Sequence, residues 1–77
     1  MITGKQIRMA RVAVEWTAET LAKKAKVAVN TIRRIESGAD SMVGTMGKIQ
    51  SALESAGVEF IPENGGGVGV RMKKGEG

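Results

Sequence analysis

The sequence predicts a mainly α fold: four helices followed by a short C-terminal β-strand or β-hairpin. Three observations predict it. Apolar residues recur at three- and four-residue spacing in four successive stretches between residues 4 and 56, punctuated by capping residues or glycines. Residues 58–62, VEFIP, and 68–72, VGVRM, instead alternate apolar with other side chains, as strands do. ENGGG lies between them as a flexible turn, and Pro62 confines its strand to an edge or a terminus.

Thr3 and Gln6 have the spacing of a capping box, so a first helix is expected over about residues 4–15. Its inward stripe is Ile7, Ala10, Arg11 and Val14, and the arginine in that stripe needs a partner. Thr17 caps a second helix over 18–25, with Glu19 in its first turn, Lys23 and Lys24 near its end, and Leu21, Ala22 and Ala25 as a narrow inner face. KVA, residues 26–28, leaves room only for a sharp change of direction. The third helix, 28–36, buries Ala28, Ile32 and Ile35 and turns Val29, Asn30, Arg33, Arg34 and Ser37 outward, until Gly38 stops it. GADSMVG, 38–44, reads as a loop in which Ser41 is a candidate cap for the fourth helix. That helix runs to about Ala56 with Met46, Ile49, Leu53 and Ala56 at core spacing, and Gly57 ends it. The expected division is 1–57 for the helical domain and 58–77 for a strand or hairpin with a flexible tail; a tail disordered from about residue 64 is the alternative to the hairpin.

Composition narrows the function. The chain has 77 residues, 42% hydrophobic and 26% charged, enough for one domain with a small core. It has no cysteine and no histidine, which removes disulfides, the usual zinc sites and most nucleophilic or acid–base chemistry, so neither an enzyme nor a metal or cofactor site is expected. No apolar run approaches the roughly 20 residues that span a bilayer, and no signal peptide is evident, so a cytoplasmic location is expected. GGGVGV, 65–70, lacks the Lys–Ser/Thr pair of a phosphate loop and follows no βαβ unit. The net charge of +4 is unevenly spread: residues 1–37 hold eight Lys and Arg against three Glu, whereas 38–70 hold one lysine against four acids. The positive end suggests a side that faces a polyanion.

Two short helices joined by a three-residue turn, the second apolar beneath and basic or amide-bearing outside, form the arrangement of major-groove readers. WTAETLAKKAKVAVNTIRRIESG, residues 16–38, resembles the lambda-repressor-like helix-turn-helix of Xre/Cro-type bacterial and phage regulators, with the motif itself at 17–36. Trp16, Thr17, Leu21, Ala22, Val27, Thr31, Ile32, Arg34, Ile35, Glu36 and Gly38 match its pattern in register. ITGKQIRMAR and ALESAGV resemble the flanking helices of small members, so the likeness extends over about 2–57. Three positions depart from it: Ala18 replaces the usual glutamine, Lys26 the turn glycine, and Ala28 the serine cap of the third helix.

The resemblance implies sequence-specific binding of double-stranded DNA by a transcriptional regulator, a repressor being the expectation, with helix 28–36 in the major groove. It places Val29, Asn30 and Arg34 at base edges. The chemistry agrees: Arg34 can bridge guanine O6 and N7, Asn30 can pair with adenine N6 and N7, and Val29 can pack on a thymine methyl. Thr17, Lys23, Lys26, Arg33, Ser37 and Ser41 are placed for phosphates, which fix register without reading sequence. The family also pairs an inward arginine of the first helix with the glutamate found here as Glu36, which gives Arg11 its partner.

A monomer this small covers few base pairs, so a homodimer on a palindromic operator is expected. The hairpin offers Phe60, Ile61, Val68 and Val70 as its interface, with a surface of the fourth helix as the alternative. Two other readings differ in partner: an antitoxin-type regulator whose C-terminal segment binds a toxin, and a protein-interaction module that binds no DNA. Strong salt dependence of duplex binding separates the DNA readings from the last.

Overall fold

Thr3 opens the first helix reciprocally with Gln6. The Thr3 hydroxyl accepts the Gln6 backbone N–H at 3.2 Å, and Gln6 Oε1 accepts the Thr3 N–H at 2.9 Å. From this start the computed structural model, which describes residues 2–73, builds α1 (Gly4–Ala13), α2 (Ala18–Ala25), α3 (Val29–Glu36) and α4 (Val43–Ser55). Two strands follow, β1 (Val58–Ile61) and β2 (Gly69–Met72), as the antiparallel hairpin that the alternating stretches predict. The last residues of the expected tail, 74–77, lie outside the described residues.

The first three helices end in the same closure. Trp16 N–H reaches Arg11 O while Glu15 N–H reaches Val12 O; Val27 and Lys26 repeat this on Ala22 and Lys23, and Ala39 and Gly38 on Arg34 and Ile35. Such a Schellman closure needs one left-handed residue. Gly38 takes it at φ 104°, but Glu15 at φ 60° and Lys26 at φ 59° are not glycines. The closure at Glu15 is why α1 stops at Ala13 rather than near residue 15. Left-handed backbone crowds a Cβ, so Lys26→Gly is expected to stabilise the fold by about 1 kcal/mol. Chemical denaturation checks this; a less stable glycine variant would mean that the Lys26 side chain compensates its own strain.

Each helix sends its apolar stripe to one core. Ile7, Leu21, Ile32, Ile49, Leu53 and Val58 are fully buried, joined by Ile2, Ala10, Ala22, Ala25, Ile35 and Met46. Two expected positions are corrected. Ala28 is exposed, because it is the N-cap of α3 with extended backbone and so lies off the helix's inner face. Val29 takes its place, half-buried against the core. Ser41 does not cap α4; Met42 is its N-cap and supplies no side-chain bond.

The hairpin pairs Val58 with Met72, Glu59 with Arg71, Phe60 with Val70 and Ile61 with Gly69. Its inner side chains, Val58, Phe60 and Val70, pack on the helical core, while Val68 falls just before β2. Gln6 clips it in place: the side chain is buried, and Nε2 donates to Ile61 O and Gly69 O, both at 3.0 Å. Outside, Arg71 and Glu59 pair at 2.9 Å, and that bond holds the Glu59 carboxyl below the ordinary glutamate range.

Candidate nucleic-acid interface

The turn Lys26–Ala28 sets α3 across α2, and the burial of Ile32 and Ile35 decides which way α3 faces. With those two isoleucines inward, Asn30, Arg33, Arg34 and Ser37 are all exposed. Asn30 and Arg34 are four residues apart and therefore share a face. Among the described residues neither has a side-chain hydrogen bond or an ion pair.

Other expected contact residues are already engaged. Thr17 Oγ1 caps α2 by accepting the Thr20 N–H at 3.1 Å. Ser37 Oγ donates to Arg33 O at 2.9 Å, and Ser41 is half-buried. Arg33 Nη2 meets Glu19 Oε2 at 2.6 Å on the surface, a pairing across two helices that no local sequence pattern announces. Glu19's own backbone N–H, and then the Arg33 guanidinium, hold its carboxyl below the ordinary range. Lys23 and Lys26 are exposed, whereas Lys24 leans away with its ammonium 5.7 Å from the Trp16 ring centre.

Arg11 grips Glu36 bidentately, Nε to Oε2 at 2.8 Å and Nη2 to Oε1 at 2.9 Å, and Nη1 donates to Trp16 O at 3.0 Å. The pair is mostly buried, with side-chain exposures of 18% and 10%. Both carboxylates of the α2–α3 unit are thus matched by arginines. Lys23, Lys24, Lys26 and Arg34 remain as exposed positive charge with no ion-pair partner among the described residues, the arrangement that attracts phosphates.

Of the four hairpin residues expected at an interface, Phe60 and Val70 pack on the chain's own core, Ile61 is half-buried with its carbonyl bonded to Gln6, and Val68 is exposed. Gln6 escaped notice beyond its cap role because its strand partners lie 55 and 63 residues away.

Residues 7–59 match the family described as Helix-turn-helix, of the lambda-repressor/Xre-like kind. A comparison with curated proteins finds no match. The family match covers well over half of the chain, from α1 into β1, and includes every residue of the α2–turn–α3 unit. The family is one of DNA-binding regulators rather than enzymes. On that match and this geometry, the chain belongs to the lambda-repressor-like helix-turn-helix family of double-stranded-DNA-binding transcriptional regulators.

Proposed function

We propose that the protein is a sequence-specific repressor that lays α3 in the major groove of a palindromic operator and acts as a homodimer. One observation carries this reading: Asn30 and Arg34 are exposed on one face of α3 with no partner among the described residues, so their donors are free for base edges. The exposed part of Val29 adds an apolar contact beside them. Thr17, Lys23, Lys26, Ser37 and Ser41 address phosphates, and Arg33 joins them by exchanging Glu19 for a phosphate oxygen. Residues 1–57 form the DNA-binding unit, which the C-terminal hairpin braces. No helix among the described residues is long and apolar enough to cross a membrane, and the reading places the protein with the DNA, in the cytoplasm.

Selection of bound duplexes from a random pool tests the assignment. Arg34→Ala is expected to relax one base position at a cost of about 1–3 kcal/mol. Lys23→Ala is expected to weaken all sequences alike and to lower the salt slope by about one. Equal loss on every sequence from both variants would remove α3 from the groove. Repression is read from a promoter carrying the selected site, whose output should fall when the protein is supplied and stay unchanged with Arg34→Ala.

A further inference from the structure

We propose that the groove between α2 and α4 is a binding site for a nucleoside polyphosphate, its phosphates on Lys24, Lys26 and Lys48 and its base against Trp16. Neither Asn30 nor Arg34 lines this groove, and the inference does not rest on the DNA-binding reading. The groove has two joined lobes. Lys26, Lys48 and Ser51 line the larger, of about 610 Å³, and Trp16 lines the smaller, of about 260 Å³; Lys24, Ala52 and Ser55 belong to both. The larger lobe falls within the ~300–1,000 Å³ of small-molecule sites. Along the groove the order is an aromatic ring, then a lysine and a hydroxyl, then two more lysines and a second hydroxyl. That is the order of base, sugar and phosphates in a nucleotide.

Charge and hydrogen-bonding capacity here are unspent. The three lysines are exposed, and among the described residues none is in an ion pair. No carboxylate lines either lobe, and neither Ser51 nor Ser55 has a side-chain hydrogen bond among the described residues. Ammonium groups gathered round one hollow repel each other until an anion lies between them. The Lys24 ammonium stands 5.7 Å from the Trp16 ring centre, so a phosphate that draws it away frees the ring for a flat base. Two lining residues are also ones that the fold alone would not select. Lys26 holds left-handed backbone at φ 59°, where glycine is easier. Gly47 sits inside α4, where alanine would favour the helix, and nothing lies within 4 Å of its Cβ position. The first adds a charge to the groove and the second keeps it open, as departures from local preference at a functional site do.

Equilibrium dialysis against adenosine triphosphate, without DNA or magnesium, tests the site, and the emission of Trp16, the chain's single tryptophan, locates it. The wild-type protein should retain one nucleotide per chain, with the emission changing along the same curve. Adenosine and inorganic triphosphate should each bind about tenfold more weakly, since each keeps only half of the contacts. Lys48→Gln should weaken nucleotide binding about tenfold, and so should Gly47→Leu, which fills the groove without altering its charge. Both variants should keep the wild-type affinity for the selected duplex and its salt slope. Thermal unfolding verifies that each is folded. No retention by the wild-type protein, or retention unchanged in both variants, would overturn the site. Inorganic triphosphate bound as tightly as the nucleotide, or a Trp16 emission that stays constant, would overturn the base contact and the nucleotide assignment with it. Duplex binding lost in step with nucleotide binding would give the groove to DNA and overturn the inference.

Discussion

Gly4→Ala is expected to lower the thermal midpoint by roughly 12–24 °C, from a cost of about 3 kcal/mol at 4–8 °C per kcal/mol in a domain of this size. A Cβ at Gly4 would overlap Ile35 O and stand 3.0 Å from Ile35 C and 3.4 Å from Glu36 Cα. All three are backbone atoms, so no change of rotamer relieves the overlap. Either α1 lifts from the end of α3 or the last turn of α3 unwinds, and both disturb the helix that carries Asn30 and Arg34. Gly44→Ala is the control, because nothing lies within 4 Å of its Cβ position. Circular dichroism melts of the two variants decide the matter: a Gly4→Ala protein that melts within a few degrees of wild type would mean that α1 is not seated on α3 in solution.

Cutting the ion pair should be about as damaging. Glu36→Ala leaves the Arg11 guanidinium mostly enclosed with only Trp16 O as acceptor, and stranding such a charge costs about 3 kcal/mol. The bond from Glu36, ahead of other influences, raises the Arg11 pKa above its already high ordinary value. A raised pKa contributes stability that is complete below the unfolded value, and the pair needs a charged carboxylate, so this part of the loss should be constant through the neutral range and should not be expected in strong acid. Arg11→Leu combined with Glu36→Leu should recover most of the stability, because an apolar pair of similar volume needs no desolvation. Urea unfolding of the four proteins measures this. Single variants within about 0.5 kcal/mol of wild type would show that the pair carries little.

The helices were legible because their signals are local. The Thr3–Gln6 box, the Thr17 cap, Gly38 and the spacing of Ile7, Leu21, Ile32, Ile49 and Leu53 all act within a few residues of themselves. The misplacement of Ala28 and Val29 shows the limit of periodicity, since a one-residue shift at a helix start exchanges inside for outside. Glu15 in a left-handed conformation has no sequence sign, because tertiary packing of Trp16 and Arg11 imposes it. The need for glycine at Gly4 has no local sign, because it arises only where the end of α3 packs against α1. The candidate DNA face rests on charge and resemblance together, whereas the Glu19–Arg33 pair joins residues whose proximity only the folded turn creates.

Gln6 has a bearing on how the molecule is made. It leaves the ribosome long before Gly69, 63 residues later, supplies the second carbonyl its amide serves. A nascent chain, or one cut short ahead of β2, therefore holds a hydrogen donor facing its own interior with no acceptor there, and its opening helix lacks the final latch. Pairing of β2 with β1 and the seating of α1 under the hairpin are therefore completed by one and the same event, the arrival of Gly69 O at the Gln6 amide.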